Sequence, residues 1–105
     1  MRRGDIWWAD LPKPAGRRPV LLLSRDAAYE ARSLVTVAPV TRTIRSISSE
    51  VPLGSEDGMP ASCVANLDNI QTVSREYLRE RLTTLSSQKM RMVDEAIRFA
   101  LDVRD

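Results

Sequence analysis

Apolar residues in the first half of the chain occur in short runs of strand length, separated by turn-forming residues. Residues 6–11, 19–23 and 34–41 are such runs, rich in aromatic, β-branched and aliphatic side chains. The run 19–23 carries no polar residue, which is typical of a strand buried on both faces of a sheet. Between the second and third runs, residues 26–32 predict a short helix with Asp26 as its N-cap.

This alternation of runs and turns continues in the second half. Five more elements are predicted, namely strands over residues 50–53, 62–70 and 82–85, a loop over 54–60 and a short helix over 75–81. Ser74 is the expected cap of that helix. Pro39 lies near the end of the run 34–41. Because proline cannot donate to a strand ladder, Pro39 predicts a sheet edge or a bulge.

The C-terminal segment has the clearest helical pattern. From Ser86 or Ser87 to about residue 103, apolar residues recur every three or four positions and charged residues occupy the other face. Four residues widen the apolar face into either core or a partner surface: Met92, Ala96, Phe99 and Val103. Many short strands and one terminal helix predict a single domain over residues 1–105, mainly β, in which a small curled barrel carries peripheral helices.

Two residue counts exclude whole classes of site. The chain has no histidine and one cysteine, Cys63. A Ser-His-Asp triad, a histidine-paired nuclease, a histidine-rich zinc site and a zinc finger are therefore excluded. The carboxylates form no evident cluster for magnesium, so we expect neither a metal nor a cofactor. A lone cysteine makes no internal disulfide, which fits a reducing cytoplasm.

Neither a membrane span nor a signal peptide is expected. No apolar run approaches the roughly 18 residues that a span needs. Gly4 and Asp5 follow the first basic residues directly, where a signal peptide would have its apolar core.

The charge is unevenly spread along the chain. Sixteen basic and 14 acidic residues give a net charge of +2. Residues 1–50 hold nine basic and five acidic side chains, hence +4, whereas residues 51–105 hold seven and nine, hence −2. A basic half is a weak indication of a polyanionic partner. Fourteen of the basic residues are arginine, which suits paired phosphate contacts but is also what a GC-rich genome produces.

Two short clusters carry candidate chemistry. Arg17 and Arg18 stand at the entrance of the second predicted strand, where the sheet holds the backbone and the side chains reach the rim. Thr41, Arg42 and Thr43 end the third strand after its proline. Each cluster also has a simpler interpretation, a solvated charge pair in the first case and a polar strand end in the second.

Arginine and threonine without histidine or metal suit one reaction in particular. RNA can be cut without an external nucleophile because the 2′-hydroxyl lies next to the phosphorus. Catalysis then requires a positioned backbone, stabilisation of the extra negative charge and help with two proton transfers. Arginine supplies a fixed charge and a threonine hydroxyl adds a donor. A carboxylate such as Asp68 or Asp5 could accept a proton or orient the arginine.

The ordered blocks of the sequence resemble one known family. Residues 3–11 and 17–24 look like the opening of the MazF/PemK toxins of bacterial toxin–antitoxin modules. The resemblance continues through residues 37–41 and 66–73 and into the final helix, so it covers essentially the whole chain.

This resemblance implies a homodimer with an SH3-like barrel fold in the cytoplasm, inhibited by a cognate MazE-like antitoxin. It also implies a metal-independent endoribonuclease that cuts single-stranded RNA at short sequences and so inhibits translation and growth. The products would carry 2′,3′-cyclic phosphate and 5′-hydroxyl ends. The target would be messenger RNA, with ribosomal and transfer RNA as alternatives.

The resemblance also assigns site residues. Arg18 and Thr41 occupy the positions of the family's catalytic pair, and Asp68 occupies the position of an aspartate with a base role in PemK-type members. Asn66 stands where those members have arginine, and the loop over 12–17 is shorter than in many relatives, so their cut-site preference does not transfer. The remaining candidates for RNA contact are Asp5, Arg17, Arg42, Thr43 and Asn66.

Two other functions fit the same fold. A CcdB-like toxin would poison gyrase and cleave nothing, and an SH3-like binding module would have no activity. Incubation with a long single-stranded RNA separates the three.

Overall fold

Within residues 1–104, seven strands precede one long helix. The computed structural model describes residues 1–104. Its strands and helices are β1 (Asp5–Leu11), β2 (Gly16–Leu22), α1 (Ala28–Ala31), β3 (Leu34–Thr41), β4 (Glu50–Leu53), β5 (Cys63–Asn66), β6 (Gln71–Ser74), β7 (Leu78–Thr84) and α2 (Ser87–Leu101). Single 3₁₀ turns lie at Ser55–Asp57, Leu67–Asn69 and Arg75–Tyr77.

The strands form one curled antiparallel sheet in the order β4-β5-β3-β2-β1-β7, with β6 paired to β3 beside this path. The predicted fold, mainly β with a C-terminal helix, is confirmed, and the sheet forms a half-barrel with β4 and β7 at its two ends. No helix in residues 1–104 is long and apolar enough to cross a membrane.

The second strand is buried on both faces, as its unbroken apolar run predicts. Val20, Leu21 and Leu22 are each 0% exposed. Leu21 points into a core that α2 covers, whereas Val20 and Leu22 point into a second core on the opposite face. Full burial of one such side chain stabilises the fold by about 1.5–3 kcal/mol, so β2 anchors both layers.

Pro39 lies neither at a sheet edge nor at a bulge, contrary to the prediction. It pairs with Val20 on one side. On its other side β3 changes partner, because β6 pairs with residues 34–37 and β5 with residues 40–41. The missing N–H therefore falls where the ladder is interrupted anyway. The register shifts of this sheet lie between β1 and β7 instead.

Two predicted elements near residue 75 are wrong. The helix expected over 75–81 is a single 3₁₀ turn followed by β7, and the strand expected over 62–70 ends at Asn66. Pairing with β1 places Arg81 and Glu80 opposite the two adjacent tryptophans, so tertiary hydrogen bonding overrides the local helical pattern.

The helix caps differ between the two ends of the chain. Ser86, one of the two predicted start positions of this helix, caps α2, since its hydroxyl accepts from the Lys89 N–H at 3.0 Å. Asp26 does not cap α1, because its carboxylate accepts from the Arg3 N–H at 2.7 Å. Along α2, Val93 and Ala96 are buried, whereas Met92 and Phe99 are 43% and 63% exposed. Part of the apolar excess of α2 is therefore surface and not core.

Candidate active site

A cavity of about 510 Å³ opens where β2 and β3 stop pairing with each other. Its polar rim consists of Arg18, Thr41, Arg42 and Thr43. Its wall is mostly apolar and consists of Trp8, Pro19, Val40, Met59, Pro60, Ala61, Cys63 and Leu82. The structure thus brings together four of the residues singled out from the sequence.

The strand register explains why Arg18 and Thr41 share this rim. The pairing of β2 with β3 ends at Val20 and Pro39. Continued by two residues, the same antiparallel register places Arg18 opposite Thr41. Beyond Val20 and Pro39 the two strands no longer pair, and Arg18, Pro19 and Thr41 line the cavity at this point.

Arg18 has hydrogen-bond donors that no group in residues 1–104 uses. Its Nε donates to the Ala15 carbonyl at 3.2 Å, which fixes the direction of the side chain. Within residues 1–104 its two terminal nitrogens have no hydrogen-bond or ion-pair partner, and the side chain is exposed. A guanidinium held by Nε and open at both Nη atoms presents a forked pair of donors, the geometry that suits a phosphate.

The hydroxyl of Thr41 is arranged to donate. Its Oγ1 accepts from the Thr43 N–H at 3.1 Å. Because this bond uses oxygen as acceptor, the hydroxyl proton remains available for a ligand in the cavity. Arg42 and Thr43 are exposed at the same rim.

Arg17 has a different environment from that of its neighbour. It forms ion pairs with Asp10 at 3.5 Å and Glu80 at 3.1 Å. Its guanidinium carbon lies 4.9 Å from the centre of the Trp8 ring. It does not line the cavity, and its guanidinium is engaged by Asp10, Glu80 and the Trp8 ring instead.

Asp5 is buried away from the cavity. It is 4% exposed and accepts hydrogen bonds from the Thr84 hydroxyl at 2.7 Å, the Arg2 N–H at 3.1 Å and the Trp7 indole at 3.2 Å. Burial by itself would raise the pKa of this carboxyl, but these hydrogen bonds outweigh it and lower the pKa below its usual value. Asp5 therefore joins β1 to β7 and does not contact the space beside Arg18.

Asp68 and Asn66 also lie outside the cavity. The Asp68 carboxylate accepts from the buried Ser49 hydroxyl, and its N–H donates to Asn66 Oδ1 at 2.9 Å. Asn66 is 6% exposed. Within one chain the structure does not bring Asp68 to Arg18 and Thr41.

The cavity wall contains residues that the sequence analysis did not select. Met59 and Pro60 belong to the predicted loop over 54–60, Ala61 follows it, and Leu82 belongs to β7. Cys63, in the same wall, is 4% exposed, and burial followed by the nearby Asp57 charge raises the pKa of its thiol. The composition of these residues gave no signal, since their proximity arises from the sheet order.

The 54–61 segment is fixed against the sheet behind this wall. The Thr83 hydroxyl donates to the Asp57 carbonyl at 2.9 Å. The Asp57 carboxylate forms an ion pair with Lys89 of α2 at 3.4 Å, with the two side chains 7% and 17% exposed. Lys89 also donates to the Pro52 carbonyl at 3.0 Å.

This arrangement of fold and rim agrees with a comparison against known families. Residues 2–101 match the family described as PemK-like, MazF-like toxin of type II toxin-antitoxin system. The chain belongs to the PemK/MazF toxin family. The resemblance inferred from the sequence blocks is confirmed.

Curated relatives of this toxin match it over nearly the full length. It is 42% identical over 101 residues to the "Probable endoribonuclease MazF5" of Mycobacterium tuberculosis, covering 95% of this chain and 92% of that protein. It is 34% identical over 109 residues to the endoribonuclease MazF of Staphylococcus saprophyticus, covering 96% and 91%.

Solved structures agree with the fold. The Mycobacterium tuberculosis toxin MazF-mt6 superposes with a TM-score of 0.89 at 33% identity, covering 96% of this toxin and 99% of that chain. A mycobacterial endoribonuclease in complex with its cognate antitoxin gives a TM-score of 0.88 at 28% identity, covering 100% and 98%. The Deinococcus radiodurans MazE–MazF complex gives 0.83 at 25% identity, covering 99% and 97%.

Proposed function

We propose that this toxin is a sequence-specific endoribonuclease that cleaves single-stranded RNA at the rim formed by Arg18 and Thr41. The observation that carries the proposal is that both side chains face one cavity with donors that no group in residues 1–104 uses. The activity class agrees with the relatives, which are named endoribonucleases.

The proposed chemistry needs only the RNA, these donors and water. The 2′-oxygen of one ribose forms a bond to the neighbouring phosphorus, and the bond from phosphorus to the 5′-oxygen breaks. The products are a 2′,3′-cyclic phosphate and a 5′-hydroxyl. Arg18 and the Thr41 hydroxyl donate to the non-bridging oxygens, where negative charge grows in the transition state.

Two proton transfers accompany this displacement. One proton leaves the 2′-hydroxyl and one reaches the 5′-oxygen. An arginine is a poor base because its pKa exceeds about 12. Asp68 does not line the cavity of its own chain, so we assign it a positioning role through Ser49. We assign both transfers to solvent water, which takes up the proton of the 2′-hydroxyl and delivers one to the 5′-oxygen.

The other candidate residues divide by environment. Arg42 and Thr43 lie at the rim and are proposed to contact RNA directly. Arg17 is proposed to act on RNA only at a distance, since its charge is already paired at the surface. Asp5 and Asn66 are buried and hydrogen-bonded within the chain, so we propose structural roles for both.

We also propose a homodimer and an antitoxin partner. α2 exposes Met92, Phe99 and Leu101, an apolar surface that a second copy would cover. MazF relatives have been solved with their antitoxins. A MazE-like antitoxin should present an acidic segment that covers Arg18 in this cytoplasmic toxin. A stable monomer of about 12 kDa in light scattering at micromolar concentration would contradict the dimer.

The deciding experiment is cleavage of a long single-stranded RNA in excess EDTA. We expect fragments with 2′,3′-cyclic phosphate and 5′-hydroxyl ends, and no cleavage where the scissile nucleotide lacks its 2′-hydroxyl. Arg18→Ala is the matched inactive control. Cleavage that requires magnesium would contradict the mechanism, and no cleavage at all would favour a gyrase poison or a binding module. Mapping 5′-hydroxyl ends after brief expression identifies messenger, ribosomal or transfer RNA as the target.

A further inference from the structure

We propose that the apolar wall of the cavity binds one nucleobase of the RNA, on a nucleotide joined to the scissile phosphate. This inference rests on the proposed function, since it takes the phosphate at Arg18 and Thr41 as given. It adds a specificity-determining site to the catalytic rim. Its central residues are Trp8, Met59 and Ala61.

The composition of the cavity is the first argument. A phosphate alone needs charged and polar donors, which the rim supplies. The wall behind the rim continues with Val40, Met59 and Leu82, whose side chains have no donor for a phosphate, and with the aromatic ring of Trp8. A nucleotide combines an anion with a planar ring joined by a sugar, and single-stranded RNA is recognised through bases that leave the stack for such pockets. The two halves of the cavity match the two halves of a nucleotide.

Trp8 is placed to supply a stacking surface. It is half-buried and lines the cavity, and its strand position pairs with Pro19 on one side and Glu80 on the other. Arg17 packs over the ring at 4.9 Å from its centre without lining the cavity. The indole is therefore held before RNA arrives. Stacking on an aromatic ring contributes about 1–3 kcal/mol per base, which corresponds to about 5- to 150-fold in binding.

The part of the wall formed by residues 59–61 is also held in place before RNA binds. Gly58 adopts φ +86°, and a Cβ there would collide with the Thr83 hydroxyl. Thr83 in turn holds the Asp57 carbonyl, and the Asp57–Lys89 ion pair joins the segment to α2. Residues 59–61 thus follow a turn that two contacts hold in place, one with Thr83 and one with Lys89. A preformed wall loses little entropy on binding, so it can discriminate between ligands by shape.

A base fits this place better than a side chain of a protein partner. The phosphate at Arg18 tethers the neighbouring base within one sugar of the wall, so the base reaches it without separate binding. An antitoxin would have to fill the same space with a side chain that has no such tether. We therefore propose a base as the occupant of the wall. Binding of the antitoxin there is one of the alternative results that the test can give.

The test combines one protein change with one RNA change. Ala61→Leu fills the cavity at a position that leaves Arg18 and Thr41 in place, and Ala27→Leu is the matched control on an exposed residue far from the cavity. The substrates are an intact oligonucleotide and two versions with an abasic ribonucleotide on either side of the cut, each keeping its 2′-hydroxyl. The readout is kcat/KM.

We expect one abasic substrate to be cut about 5- to 150-fold less efficiently by the unmodified toxin. Ala61→Leu should lower cleavage of the intact substrate by a similar factor and change cleavage of that abasic substrate by less than about threefold, because the two changes remove the same contact. Ala27→Leu should change neither.

Three results would overturn the base site while leaving the proposed function intact. The first is that neither abasic substitution changes kcat/KM of the unmodified toxin. The second is that Ala61→Leu lowers kcat/KM by the same factor on all three substrates. The third is that Ala61→Leu leaves kcat/KM unchanged and weakens inhibition by the antitoxin. If the unmodified toxin cuts none of these RNAs, the proposed function fails instead.

If Ala61→Leu does not fold, the only thiol of the chain gives a second measurement. Cys63 lines the same wall. An RNA made uncleavable by a 2′-deoxy nucleotide at the cut should slow its reaction with methyl methanethiosulfonate, and the abasic version should protect it much less. Equal protection by both RNAs would overturn the proposal.

Discussion

The cavity rim and the Asp5 cluster use similar polar groups in opposite ways. At the rim, the Arg18 terminal nitrogens and the Thr41 hydroxyl proton have no partner in residues 1–104. Around Asp5, both carboxylate oxygens accept hydrogen bonds from inside the chain. Satisfied groups stabilise a fold, whereas open donors on a fixed scaffold can bind a ligand. Unused hydrogen-bonding capacity, and not residue type, therefore distinguishes the site.

Arg17 and Arg18 repeat this comparison within two adjacent residues. Arg17 forms two ion pairs and packs on Trp8, whereas Arg18 is held through Nε alone. The two adjacent guanidinium groups therefore differ in how many of their donors the chain already uses.

Substitution of Arg18 should have the largest effect. Arg18→Ala should lower kcat by about 10²–10³, the usual loss for one preorganised donor. Arg18→Lys should fail nearly as badly, because an ammonium cannot reproduce a forked pair of donors. Arg17→Ala is the matched control and should lose less than about tenfold, since surface ion pairs contribute little. Near-normal cleavage by a folded Arg18→Ala variant would remove the basis of the site assignment.

Removal of the Thr41 hydroxyl should cost less. Thr41→Val keeps the shape and removes one neutral donor, for an expected loss of about 10- to 100-fold in kcat with little change in folding. Single-turnover cleavage measures the chemical step directly. A loss larger than that of Arg18→Ala would reverse the proposed order of the two groups.

Asp68→Asn tests whether this carboxylate moves a proton or positions a segment. A general base would lose about 10²-fold or more in kcat and would change the pH–rate profile. A positioning residue should lose about tenfold or less with an unchanged profile. Ser49→Ala should give the same small loss, and the double variant should lose no more than either, because both changes break one hydrogen bond.

Asp5→Asn should have the smallest effect on cleavage and a clear effect on stability. At pH 7 we expect a loss of about 1–2 kcal/mol in the free energy of unfolding, because an amide cannot accept all three hydrogen bonds. The folded chain lowers the pKa of this carboxyl from 3.8, so its contribution is present above that value and is lost as the pH falls through the lowered pKa. Urea unfolding between pH 7 and 3 should show the two proteins converging on acidification. A constant difference would contradict the assigned charge.

Structural features that depend on a local sequence pattern could be predicted. The burial of β2 on both faces follows from an unbroken apolar run, and the start of α2 follows from the helical spacing of its apolar residues. The helix expected over 75–81 failed because β7 satisfies its hydrogen bonds on β1, which lies some 70 residues earlier in the chain.

The candidate site was predictable only in part. Arg18 and Thr41 belong to blocks of the sequence that resemble a family. The burial of Asp5 depends on Thr84, 79 residues away, and the tie between Asp68 and Ser49 spans 19 residues. Contacts between residues so far apart in the sequence do not affect the composition around either residue. A buried carboxylate and a carboxylate beside a ligand therefore look alike in the sequence.

Positions in the 54–61 segment differ in how well they tolerate substitution, and Gly58 is the most restricted of those discussed. Any larger residue at position 58 must displace Thr83 and with it an edge of the sheet. Pro60 and Ala61 line the cavity on a segment separate in sequence from Arg18 and Thr41, so we expect substitutions there to reshape the wall and leave those two residues where they are. Descendants of this chain can therefore alter which RNA they select one substitution at a time, without first losing the ability to cut.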